Sequence, residues 1–134
     1  MNRCILPAIA FVASASQMFA AEQNWAGEYT DKNFLNGKAV FQMSIEQSGS
    51  AIQVSFDAVR NDGQGAAPEA TGQAKIAKAG MLEFKWQDSF HNAGTGTITR
   101  AGNEIVVSMK VTRVADSRCL AFYGQNMHLK RAKK

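Results

Sequence analysis

Sustained helical periodicity is missing from this sequence. After Ala21 no stretch repeats apolar residues at every third or fourth position long enough to mark an amphipathic helix. A helical bundle or a regular alternation of strands and helices is therefore not expected. Long apolar runs are also scarce, since the longest, Cys4 to Val12, is too short to span a bilayer. No transmembrane anchor is expected. Histidine is limited to His91 and His128, and no Cys-x-x-Cys occurs. Three or four converging ligands are thus hard to assemble, and neither a metal nor another cofactor is expected. Proline is confined to Pro7 and Pro68, and cysteine to Cys4 and Cys119.

Residues 1–20, MNRCILPAIAFVASASQMFA, join a basic residue near the start, a short apolar run and small residues before Ala20 and Ala21. This is the layout of a cleaved secretory signal, which places the protein in the periplasm or outside the cell. Cys4 precedes the apolar run, whereas a lipidated cysteine follows one. Removal of the signal takes Cys4 with it, so Cys119 has no intramolecular partner and the fold rests on packing. It also removes Arg3, which brings the formal net charge from +4 to +3. Lys130, Arg131, Lys133 and Lys134 outweigh that excess, so the body is close to neutral and ends in a short basic tail. The basic residues are not interleaved with aromatics along one strand face. Nucleic acid is not an expected partner.

What the chain has in abundance is alternation. In Met81 to Arg100, Leu82, Phe84 and Trp86 alternate with Glu83, Lys85 and Gln87. Asp88 to Asn92 break the pattern, and Thr95, Thr97 and Thr99 restore it around Gly94, Gly96 and Ile98. That is a β-hairpin with one buried face. The same rule gives strands around Trp25 to Tyr29, Phe41 to Glu46, Ile52 to Ala58, Ala70 to Ile76 and Ile105 to Thr112, and a last strand from Cys119 to Leu129. Small residues on one face of the fourth strand mark a close approach by a neighbouring backbone or ring. Residues 21–134 thus form one all-β domain. Eight strands in a meander remove their edges most economically as an antiparallel up-and-down barrel, with a two-sheet β-sandwich as the alternative.

Meander topology sorts the connections. Loops at 30–38, 60–69, 88–93 and 113–118 share one end, and the tight turns at 47–50, 78–80 and 101–103 share the other. Binding residues gather on loops held by a rigid scaffold. The long-loop rim, with Phe34, Asp62, Asp88, Phe90, His91, Arg113 and Arg118, is therefore the candidate surface for a partner. Asp88, Ser89 and His91 are the residue types of a hydrolytic triad, but neighbouring turn positions do not supply facing base and nucleophile. Asn61-Asp62-Gly63 lacks the acidic spacing of a calcium loop. Gly94-Thr95-Gly96 precedes no helix and is no phosphate loop. An enzyme is not expected.

The segment Asn24-Trp25-Ala26-Gly27-Glu28-Tyr29 at the head of the meander resembles the first strand of small calycin-type barrels, such as lipocalins and avidins, which begin with a Gly-x-Trp-type strand. Here Gly27 follows Trp25 instead of preceding it. The resemblance implies a barrel and carries no pocket residue across. In size and export the chain is also similar to small periplasmic inhibitors of lysozymes and to immunity proteins. Two functions follow. The preferred one is an exported inhibitor or immunity-type module that blocks a protein partner through the long-loop rim. The alternative is a carrier whose barrel holds a small apolar ligand among Trp25, Phe41, Phe56, Phe84, Trp86 and Met109.

Overall fold

The computed structural model describes residues 24–78 and 80–132. The expected signal segment and the final two lysines lie outside the described residues.

Eight strands follow one another in order: β1 (Gly27–Asn33), β2 (Ala39–Ser48), β3 (Ala51–Arg60), β4 (Glu69–Lys78), β5 (Met81–Gln87), β6 (Ala93–Ala101), β7 (Glu104–Arg113) and β8 (Met127–Arg131). Each is antiparallel to its neighbour, and β1 closes on β8 to complete an up-and-down barrel. That closure excludes the sandwich. It rests on Tyr29 opposite Arg131 and Thr30 opposite Lys130. Lys130 and Arg131 therefore belong to the wall and are not part of a free tail.

The strands form where the alternation is cleanest. Phe41, Met43 and Ile45 of β2, Ile52, Val54 and Phe56 of β3, and Leu82, Phe84 and Trp86 of β5 all point inward and are buried. Their polar neighbours face out, as a sheet with one buried face requires. Glycine does the fitting on β6. Phe84 pairs with Gly96 and Trp86 with Gly94, and the two rings lie so close that neither glycine has room for a Cβ. Gly72 on β4 is likewise pressed against the Lys85 carbonyl. These are the close approaches that the small residues announced.

Inside, rings touch from one element to the next. Phe34 tilts on Phe41 at 5.4 Å, Phe41 stacks on Phe56 at 5.6 Å, and Phe56 meets Trp86 edge-on at 5.7 Å. Trp86 and Tyr123 follow at 4.5 Å. Such pairs add to the burial of large apolar surfaces. All six residues of the expected ligand pocket, Trp25, Phe41, Phe56, Phe84, Trp86 and Met109, belong to this buried set.

One expected strand is shorter than the sequence implied. Ser117–Phe122 is a 3-10 helix, and β8 begins only at Met127. Cys119, Ala121 and Tyr123 alternate as a strand would, yet the buried pair is Cys119 and Phe122. A spacing of three matches the 3-10 repeat. The Asp116 side chain accepts from the Arg118 N–H at the head of this turn and favours helix over strand.

Candidate functional site

The barrel ends differ as the meander predicts. The turns after β2, β4 and β6 are two residues long, whereas the opposite end carries the 34–38, 61–68, 88–92 and 114–126 segments.

Asp88 organises the long-loop end. Leu82, Phe84 and Trp86 point inward, and Asp88 continues their period, so it is buried at 4% exposure. Its carboxylate accepts from the Phe90 N–H at 2.8 Å, the Asn92 N–H at 2.9 Å, the Asn92 side-chain amide at 3.0 Å and the Tyr123 hydroxyl at 2.6 Å. Burial of a charge requires this kind of satisfaction. Asn92, which is wholly buried, carries the link onward. Its Oδ1 accepts from the N–H groups of Ala115 at 2.7 Å and Asp116 at 2.9 Å. The β5–β6 hairpin and the β7–β8 connection are thereby held as one body.

The remaining rim residues divide by what holds them. Phe90 is half-buried beneath the Arg118 guanidinium, 5.6 Å from its ring centroid. Arg118 is itself paired with Asp116 at 2.6 Å, and its side chain is 64% exposed. Arg113 is exposed and donates to the His91 carbonyl at 3.1 Å. His91 is exposed and takes a left-handed φ of 70° at the hairpin tip. Phe34 turns inward and stacks 6.3 Å from Phe122. Asp62 lies on the exposed β3–β4 connection, where its carboxylate accepts from the Gln64 N–H. The structure thus gathers Phe90, His91, Arg113 and Arg118 on one clamped platform. Phe34 and Asp88 have their side chains in the interior, and Asp62 stands apart.

The titratable groups near Asp88 are held neutral. Burial, and then the Asp88 hydrogen bond and charge, raise the Tyr123 phenol far above its ordinary range. Burial, followed by the charges of Asp88 and Asp116, pushes the Cys119 thiol up to about 11. The Cys119 thiol is therefore protonated at neutral pH and is a poor nucleophile. At the surface, hydrogen bonds from Arg118 hold Asp116 down at about 2. Among the described residues no three His, Cys, Asp or Glu side chains converge as a metal site. Nor is any helix there long and apolar enough to cross a membrane.

Sequence reasoning passed over three side chains. Among the described residues the exposed large hydrophobics are Val59 at 39%, Val114 at 54% and Leu120 at 36%. All three sit at the long-loop end. Val114 was legible as the one bulky apolar residue in an otherwise polar Arg113-to-Arg118 loop, whereas Leu120 was hidden inside a strand that does not form. Set against family models, curated proteins and solved structures, the chain matches none of them.

Proposed function

We propose that this is an exported, non-enzymatic binding protein that blocks a partner protein through its long-loop rim, in the manner of an inhibitor or immunity module. The observation that carries the reading is the placement of Val59, Val114 and Leu120, the large hydrophobics exposed among the described residues, at that end. Apolar residues on an otherwise polar surface are what a protein interface uses at its centre. The Asp88 and Asn92 hydrogen bonds support it further, because loops already fixed lose little entropy on binding. Export rests on the signal-like pattern of residues 1–20. The calycin-like reading rests on Trp25 at the head of the first strand, here buried as the plug of the opposite end.

The carrier reading keeps one observation in its favour. Phe34 and Tyr123, both partly exposed, continue the interior rings to the mouth, so a flat apolar ligand displacing Phe34 would meet Phe41 and Phe122. The ring-to-ring contacts of the interior favour a filled core.

Native mass spectrometry of the protein purified from its own compartment separates the two. A co-purifying protein is expected, and it should be lost when Phe90 and Arg118 are both replaced by alanine, with the thermal midpoint nearly unchanged. Binding retained in that double variant removes the rim. A small apolar mass at one per chain establishes the carrier.

A further inference from the structure

The outer wall holds a second surface, which meets the rim at Val59. Across β1 to β5 the outward side chains line a groove of about 510 Å³ that includes Glu28, Asp57 and Glu69, with Gln42, Ser55 and Thr71 between them. Its lining contains no Lys, Arg or His.

The sheet register makes this arrangement costly. Asp57 lies directly opposite Glu69 on the neighbouring strand. Directly opposed residues in an antiparallel pair have Cβ atoms about 5 Å apart, and like charges there are destabilising. The next ladder shows the usual solution, with Lys75 opposite Glu83. Burial, and then the Glu69 charge, raise the Asp57 carboxyl above its ordinary value. Glu28 is occupied on one oxygen by the Ser44 hydroxyl at 2.9 Å. Two residues along the same outer face from Asp57 is Val59, 39% exposed and opposite the half-buried Val40. The groove thus has carboxylates with no cationic side chain among them, and the paired Val40 and Val59 lie beside it on the neighbouring stretch of β2 and β3.

We propose that this groove docks a basic, extended segment of another protein, whose Lys or Arg side chains pair with Asp57, Glu69 and Glu28 while an apolar residue covers Val40 and Val59. Cationic side chains relieve the Asp57–Glu69 repulsion on binding, so the segment is favoured over a neutral one by charge as well as by contact. The surface runs along the wall from the β5–β6 hairpin, whose Asp88 and Ser89 line its edge.

The test uses a fluorescein-labelled octapeptide of alternating arginine and leucine with blocked ends, and a glutamate and leucine counterpart. Fluorescence anisotropy should show saturable binding of the basic peptide alone, weakened at least tenfold by Asp57→Asn with Glu69→Gln, and weakened at about 0.5 M salt, where screening acts over roughly 4 Å. Amide shifts in the ¹⁵N-labelled protein should change at Gln42, Ser55 and Thr71. The double variant should also melt higher than the parent, because the opposed charges are gone. Glu28→Gln gives a second loss of binding at an exposed position. Equal binding of the acidic peptide overturns the proposal. So do shifts confined to the long loops, an unaffected double variant, or the absence of saturable binding.

Discussion

The two ends of this barrel are closed by opposite means. At the short-turn end a single large side chain, Trp25, is 1% exposed, with the Arg100 guanidinium 4.8 Å over its ring. Arg131 lies 5.8 Å over Tyr29 and donates to the Ala26 carbonyl, which fixes the strand that carries the plug. Among the described residues the Trp25 ring nitrogen is the one buried side-chain nitrogen or oxygen without a hydrogen-bond partner. At the long-loop end the closure is polar and satisfied, with Asp88 accepting four hydrogen bonds and Asn92 returning two. The difference follows from the connections. Two-residue turns hold their own backbone in place, so bulk suffices there and an unpaired N–H is tolerated. Long connections must bury main chain, and buried main-chain groups require partners.

Three changes sharpen or break that comparison. The largest effect should come from Trp25→Ala, at about 3–5 kcal/mol, the usual cost of truncating a core aromatic. Urea unfolding reads it, and hydrogen exchange should report the loss at the short-turn end, with the 113–123 segment still protected. Next is Asn92→Ala, at about 2–4 kcal/mol, because it leaves the Ala115 and Asp116 N–H groups unpaired and takes one side-chain donor from the Asp88 carboxylate. Its exchange pattern should be the reverse, with 113–123 opening first. If both variants loosen both ends equally, the ends are not separate devices.

The smallest effect is a pH dependence confined to the polar end. Cys119 and Tyr123 both have folded values above their unfolded ones. Their contribution is therefore complete below about pH 8.5, the ordinary thiol value, and is lost as pH rises, first through the Cys119 range near 11. Stability against pH should fall from about pH 9 upward. In Tyr123→Phe the fall above about pH 10 should be shallower, because the phenol that ionises in the unfolded chain is gone. An unchanged slope places the titration elsewhere.

The fold was legible because β2, β3, β5 and β7 alternate without interruption, and alternation is all that a half-buried strand demands. The last strand misled because Cys119, Ala121 and Tyr123 also alternate. The hydrogen bonds that bend this segment come from Asn92 and Asp116, and Asn92 lies more than twenty residues upstream. Asp88 is the instructive case. Its identity marked it as a surface residue, while its position, two beyond Trp86, marked it as inward. Position prevailed, because Asn92 and Tyr123 supply the donors that a buried carboxylate needs, and those partners are brought in by tertiary structure. The exposed Val59 and Val114 follow the converse logic, being apolar residues at outward or loop positions. The opposed Asp57 and Glu69 could not be paired at all before the β3–β4 register was known.

The seam between β1 and β8 has a consequence for the order of events in folding. A hydrogen bond from Arg131 to Ala26 spans 105 positions of the chain, while every other ladder joins strands consecutive in sequence. Contacts between consecutive strands close short loops and form early; this one closes nearly the whole chain and is slow on entropic grounds. Until residues 127–131 have been synthesised and have reached β1, two strand edges stand open to any passing strand. The interval before closure is when the protein is most vulnerable to aggregation, and a change that weakens Tyr29 or Arg131 would lengthen that interval before it visibly lowered the melting point.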